Sequence, residues 1–286
     1  MAVSVVTDTT GYLPASDVAA RDIHLVSLYV KFGDTLERES EMPDFTAFYE
    51  RLRAAKDLPT TSQPSIGDFL AVYEPLLERG DDIVSVHLSG SISGTVDGAR
   101  QAAAQLAERG YGGRIEVLDS QTAAGGLGLI AAAAAKRARE GGGLNEVLEY
   151  ARQARAELKI WFAVDTLEYL RRGGRVGAAQ AWLGGALKIK PILTLEAEIT
   201  PIERVRTSGK AFDRMVQYME SRREDGADGW VVQHIQAHET ADRLIERGHE
   251  IFGCDPLFVS EVGPVIGAHV GPGLLGVGGF ARRWVS

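Results

Sequence analysis

Hydroxyl and glycine residues crowd into HLSGSISGT, residues 87–95, directly after an apolar run. A serine between glycines at a strand-to-helix turn suits a nucleophile elbow, G-x-S-x-G, where a strained turn offers the serine to a histidine base. Here Gly90, Ser91, Ile92, Ser93 and Gly94 put isoleucine where the nucleophile belongs. The elbow fails. What remains is anion binding, because hydroxyls, unpaired N–H groups and the positive end of a helix dipole all favour negative charge. The plain alternative is capping, with Ser93 or Thr95 satisfying an N-terminal N–H group and binding nothing.

Other segments carry weaker signals. TSQPS, residues 61–65, sets three hydroxyls and an amide before a helix, and alone reads as a turn with an N-cap. AHVGPG, residues 268–273, places His269 in a glycine- and proline-rich loop. Arg171 to Arg175, RRGGR, is a compact positive turn, solvated by default. GPGLLG, residues 271–276, spells G-x-G-x-x-G, but only ten residues follow Gly276 and none is acidic, so it lacks the ribose-binding carboxylate of a dinucleotide site. His234 and His238 are four apart, yet no glutamate follows the first, His234 ends a strand, and no third ligand nominates itself nearby. No metal is expected. Cys254, the single cysteine, has no partner for a disulfide or a zinc knuckle.

The elements that must position these residues follow from periodicity. VSVVTD, IHLVSLYVKFG, DDIVSVHL and RIEVLD read as strands, and FLAVYEPLLERG, VDGARQAAAQLAERG and GGLGLIAAAAAKRARE as helices. Their alternation predicts a mostly parallel sheet covered on both faces. Ser65 with Asp68 three residues later is a capping-box-like start for the helix after TSQPS. A glycine break and an amphipathic helix, EGGGLNEVLEYARQARAEL, place a boundary near residue 155. Residues 1–155 then form one α/β domain carrying TSQPS and SGSISGT. Residues 156–286 form a second, with strands at KIWFAVD, KIKPILTLE, GWVVQHI and PLFVSEV, helices at KAFDRMVQYMESRRE and TADRLIERGHEIFG, and the RRGGR and AHVGPG segments.

Composition narrows the function. Of 286 residues, 45% are hydrophobic and 24% charged, the balance of a soluble globular chain. A net charge of −8 without a basic block argues against nucleic acid as a partner. The start MAVSVVTDTT has no signal-peptide pattern, and the most apolar helix, LGLIAAAAAKRARE, is short and ends in charges, so a cytoplasmic location is expected.

Taken together, TDTT, TSQPS, SGSISGT, LEYLRRGGRVG and IGAHVGPG occur in an order and spacing that resembles the DegV family of bacterial lipid-binding proteins across the whole chain. The resemblance implies two α/β domains with a lipid tunnel between or beside them. It implies a carrier without catalysis or cofactor, the fatty-acid-binding subunit of a bacterial fatty acid kinase. Such a subunit holds one long-chain fatty acid for a separate ATP-dependent kinase that makes acyl phosphate for phospholipid synthesis, with transient contact with a membrane surface. Carried over, the carboxylate site falls on Thr61, Ser62, Ser93, Gly94 and His269, with Asp8 and Thr9 behind them. Ala268 stands where the family more often has threonine or serine, so a hydroxyl contact is missing there. Arg172 and Arg175 are expected on the face that docks the kinase. The apolar wall is expected among ALKIKPILTL, AWLGGAL and the alanine-rich helix, and the small residues of VGAAQAWLGGAL, 176–187, would let a helix lift to admit the chain. The competing readings are a stand-alone hydrolase or phosphotransferase using Ser93 with His269, and a sensor with the same pocket.

Overall fold

The computed structural model of the chain describes residues 1–42, 44–183 and 189–286. The chain opens with β1 (Val3–Asp8), α1 (Ala15–Arg21), β2 (Ile23–Val26), β3 (Tyr29–Phe32), β4 (Thr35–Arg38), α2 (Thr46–Ala54) and β5 (Thr60–Ser62). It continues through α3 (Ile66–Glu78), β6 (Asp82–His87), α4 (Thr95–Leu106), β7 (Ile115–Asp119), α5 (Gly125–Arg139) and α6 (Leu144–Glu157). The second half contains β8 (Lys159–Ala163), α7 (Glu168–Arg172), β9 (Lys190–Glu196), β10 (Glu198–Val205), α8 (Ser208–Glu224) and β11 (Gly229–His234). It closes with α9 (His238–Phe252), β12 (Phe258–Glu261), α10 (Pro264–Val270) and β13 (Leu275–Phe280).

Three sheets result, and the fold is mixed α/β. The first has the order β2-β1-β6-β7 and is parallel throughout, as strand and helix alternation requires. The second, β10-β9-β8-β13-β11-β12, is antiparallel except where β11 meets β12. The third is the small antiparallel sheet β4-β3-β5. The apolar run at 23–33 is therefore two strands in two sheets. It breaks at Ser27 and Leu28, where the Leu28 N–H donates to Thr9 Oγ1 at 3.3 Å.

Helix α5 explains how the halves meet. Its residues 125–135 are all buried, so it is apolar all round and packs on β1, β6 and α6 while reaching β11. One apolar cluster consequently joins Val5, Val84, Leu127 and Ile130 to Leu193 and Val231 of the second sheet and to Val262 just beyond β12. A second cluster lies on that sheet's other face, where Met215, Met219 and Leu244 of α8 and α9 cover Trp230 and Val232. No helix among the described residues is long and apolar enough to cross a membrane.

His269 sits on a helix where the sequence suggested a loop. Pro264 occupies the first turn of α10, where its missing N–H is no loss, and Gly271, at φ +77°, ends it. The glycine and proline of this segment punctuate a short helix.

Candidate functional site

The parallel sheet reverses its strand order at β1 and β6, and α/β sheets open a crevice at the carboxyl ends of strands where the order reverses. A cavity of about 360 Å³ occupies that place. Leu28 beyond β2, Leu88 and Ile92 to Gly94 beyond β6, and Ala123 and Ala124 beyond β7 form one side. The second sheet supplies the opposite wall through Ile160 and Phe162 of β8, Leu195 of β9, Ile199 of β10, and Val231 and Gln233 of β11. Two-residue spacing within β8 and β11 points those side chains to one face. Val265, Ile266, His269 and Val270 of α10 complete the enclosure.

Thr61, Ser62, Ser93, Gly94 and His269, expected from sequence to hold an anion, all line this cavity. One hydrogen bond joins two of them. Thr61 Oγ1 lies 2.7 Å from His269 Nε2, and β5 is held in place by pairing Thr61 with Val30 of β3. Ser93 Oγ lies 2.8 Å from Thr95 Oγ1 and accepts the Thr95 N–H at 3.3 Å, so capping and cavity lining coexist in one residue. Gly94 lets the Gln63 side-chain amide lie against the backbone, and a Cβ there would push that amide aside. Gly173 is held to glycine more strictly, since its Cβ would fall 2.5 Å from His269 Nδ1 and 3.1 Å from the Tyr169 carbonyl.

His269 is neutral at pH 7, because burial first and the Arg175 guanidinium second push its pKa down to about 4. Its Nδ1 is buried without a hydrogen-bond partner among the described residues. A buried N–H left without an acceptor is costlier than an idle ring lone pair, so the hydrogen bonds assign the proton to Nε2. Nε2–H then donates to Thr61 Oγ1, and the Thr61 hydroxyl proton is free to turn into the cavity.

The arginines divide. Arg172 is exposed and donates to the Lys56 carbonyl at 3.3 Å. Arg175 is half-buried and lines the cavity, donating from Nε to the Ile92 carbonyl at 3.2 Å and from Nη1 to the Gly173 carbonyl at 2.6 Å. Sequence grouped both on an outer docking face. The left-handed turn at Gly174, φ +73°, folds the second one back, and it becomes the single charged side chain among the described lining residues. Gln63 and Gln233 are polar lining residues that motif reading did not assign to the site.

Asp8 and Thr9 stand one bond behind the lining. Asp8 accepts the Thr10 N–H, the Leu88 N–H at 3.1 Å and a contact from His87 Nδ1 at 3.0 Å. Thr9 accepts the Leu28 N–H and donates to Glu39 Oε2 at 2.7 Å. Each therefore fixes the backbone of a residue that lines the cavity, Leu88 and Leu28 respectively.

Two serine–histidine arrangements bear on the hydrolase reading. Asp8, His87 and Ser85 form a hydrogen-bonded row, with Ser85 Oγ 2.7 Å from His87 Nε2, but all three are buried and none lines the cavity. Ser93 and His269 both line it, yet their hydrogen bonds go to Thr95 and Thr61. The expected apolar wall is realised by Leu195 of the KIKPILTLE strand, while the alanine-rich helix contributes only Gly126 from its first turn. Residues 184–187 of the segment expected to lift lie outside the described residues.

Similarity to known proteins bears on the family and the fold. Residues 2–282 match the family model described as uncharacterised protein, DegV family. The chain belongs to the DegV family. A DegV domain-containing protein of Streptomyces coelicolor is 41% identical over 278 residues, 96% of this chain and 97% of that one. A DegV-family protein of Thermus thermophilus, solved as a fatty-acid-binding structure, superposes with a TM-score of 0.87 at 33% identity, covering 98% of this chain and 100% of that one. DegV of Bacillus subtilis, described as a fatty acid binding protein, gives a TM-score of 0.87 at 34% identity over 98% and 99% of the two chains. In this chain the cavity lies between the two larger sheets.

Proposed function

We propose that this protein carries one long-chain fatty acid, with the tail in the apolar part of the cavity and the carboxylate among Thr61, Ser62, Ser93, Gly94, His269 and Arg175. The carrying observation is the joining of an enclosed apolar wall to one cluster of hydroxyls, a neutral histidine and a single arginine. A fatty acid presents these two needs at once. Each buried methylene contributes about 0.8 kcal/mol, so a sixteen-carbon chain contributes on the order of 10 kcal/mol before ordering costs. A carboxylate removed from water without donors would cost several kcal/mol or take up a proton. The Thr61 and Ser93 hydroxyls, the start of α4 and Arg175 supply what it needs. The fatty-acid binding described for the Thermus and Bacillus proteins supports this reading.

The test is native mass spectrometry of freshly purified protein, followed by solvent extraction and lipid identification. One stoichiometric long-chain fatty acid is the expected result. Protein that is empty and refuses fatty acids of several lengths would overturn the reading.

We infer further that the loaded protein offers its carboxylate to an ATP-dependent fatty acid kinase for acyl phosphate formation, taking up lipid by transient contact with a membrane surface. Arg172, exposed beside the α7 turn that also bears Arg175, is the residue assigned to docking. Arg172→Glu is expected to impair phosphorylation with lipid affinity intact, whereas Arg175→Gln is expected to lower lipid affinity itself. Loss of lipid binding in Arg172→Glu would make the turn structural.

A further inference from the structure

Three metal-binding side chains meet on the face of the second sheet opposite the cavity. Along β11, Val231 and Gln233 line the cavity, so the alternation of a strand turns His234 to the other side. Glu261 ends β12 as the register partner of His234 across the parallel pair. His238 opens α9, which packs back on β11, and its ring centroid lies 4.6 Å from that of His234. Donor atoms of the three residues all fall within 4.8 Å of one another. Sequence left the two histidines without a third ligand; the parallel pairing of β11 and β12 brings one from 27 residues away along the chain.

Two further observations point to a ligand. His234 is only 6% exposed, and its Nδ1 is buried with no hydrogen-bond partner among the described residues. Glu261 is oriented from behind: Oε1 accepts both the Gln236 N–H at 3.1 Å and the Gln236 side-chain amide at 2.6 Å. Gln236 holds φ +50° to make this contact, a left-handed turn that a glutamine rarely adopts. Orienting bonds of this kind are the usual support of metal-binding carboxylates.

We propose that His234, His238 and Glu261 form a site for a divalent first-row transition ion of the Zn²⁺ type. Two imidazoles and one carboxylate suit zinc and leave a fourth position open, whereas calcium and magnesium take all-oxygen sets. Tetrahedral zinc with bonds of about 2.0–2.1 Å holds its donors roughly 3.3 Å apart, so the exposed His238 closes the site by a side-chain rotation. The ion ties the turn after β11 to the end of β12. Val262, the next residue, donates its N–H to the His234 carbonyl at 2.8 Å and lines the cavity. The site is a structural clamp beneath one cavity wall, and it stands independently of the lipid reading.

The test uses full-length, tag-free protein stripped with a chelator and titrated with Zn²⁺ by calorimetry. One equivalent is expected to bind and to raise the melting temperature. His238→Ala removes an exposed ligand, and Glu261→Gln keeps the acceptor for Gln236 while removing the charge. Each is expected to weaken zinc binding by about 10-fold or more, to keep the metal-free melting temperature, and to retain fatty-acid uptake. Failure of the wild-type protein to take up zinc, or wild-type zinc affinity in both variants, would overturn the proposal.

Discussion

At the scale of single residues, His269 acts by position and polarity, with no charge of its own. With its pKa pushed down to about 4, it is neutral across the physiological range and holds the Thr61 hydroxyl toward the cavity. His269→Ala is therefore expected to weaken a fatty acid about 10-fold more than the matching fatty alcohol, since the lost hydrogen bond to Thr61 Oγ1 fixes the Thr61 hydroxyl as donor to a charged carboxylate. Isothermal titration with both ligands checks this, and equal losses would assign His269 to packing alone. Gly173→Ala probes the same group without removing it. The new Cβ would meet His269 Nδ1 at 2.5 Å and the Tyr169 carbonyl at 3.1 Å, a backbone atom that cannot swing aside. Overpacking of this kind costs about 1–3 kcal/mol, and displacement of the imidazole should carry acid affinity down with it. The polar lining was legible in sequence where small hydroxyl residues cluster, as at Ser93 in the turn before α4 and at Thr61, although TSQPS reads as a turn and its Thr61 and Ser62 lie in β5, paired with β3. Arg175 was misplaced because a charge beside two glycines looks solvated until the turn at Gly174 is known to reverse it.

Among the elements, α10 is the one whose attachment is sensitive to pH. Its Val265 N–H donates to Glu39 Oε1 at 2.8 Å, and Tyr12 and Thr9 donate to the same carboxylate. Burial outweighs these bonds and raises the Glu39 pKa to about 7, with the Asp8 carboxylate adding to the rise. A group whose pKa is higher folded than unfolded gives stability that is complete below pH 4.5 and lost as the pH rises through about 7. At about 1.4 kcal/mol per pH unit, the loss is about 3 kcal/mol. Glu39→Gln keeps an oxygen for Val265 and Tyr12 and removes the ionisation. Its stability relative to wild type should rise between pH 5 and pH 8, measured by denaturant unfolding at each pH; a difference that stays flat would show that Glu39 does not titrate there. His269 slopes the other way, its contribution being lost as pH falls from 6.5 through about 4, so the comparison is with wild type at each pH. Periodicity read the long helices and the parallel strands well, because α4 and α9 bury regular faces such as Val96, Ala99, Ala102 and Leu106. It missed β13, LGVGGF, whose glycines give no apolar alternation. They are there because α8 packs against this strand: a Cβ at Gly279 would lie 2.5 Å from Arg222 Cβ.

Across the whole molecule, the cavity belongs to neither half. The turns after β2, β6 and β7 form one side of it and the second sheet the other, and a single apolar cluster runs through both. The boundary expected near residue 155 falls within α6, which packs on α5 and thereby on the shared core. Two domains joined by such a core should unfold together, so calorimetry is expected to show one transition whose calorimetric and van't Hoff enthalpies agree. A bound fatty acid touches both halves and should raise that transition as a unit. The stabilisation follows RT ln(1 + [L]/Kd), about 2.7 kcal/mol at a hundredfold excess over Kd. Two resolved transitions, with only one moving on addition of lipid, would show that the halves fold separately and that the ligand is held by one of them. A single transition that moves with lipid would make the assembled cavity the unit that folds, because the fragment 1–155 would then lack the wall formed by β8, β9, β10 and β11 and is expected neither to unfold cooperatively nor to retain fatty acid.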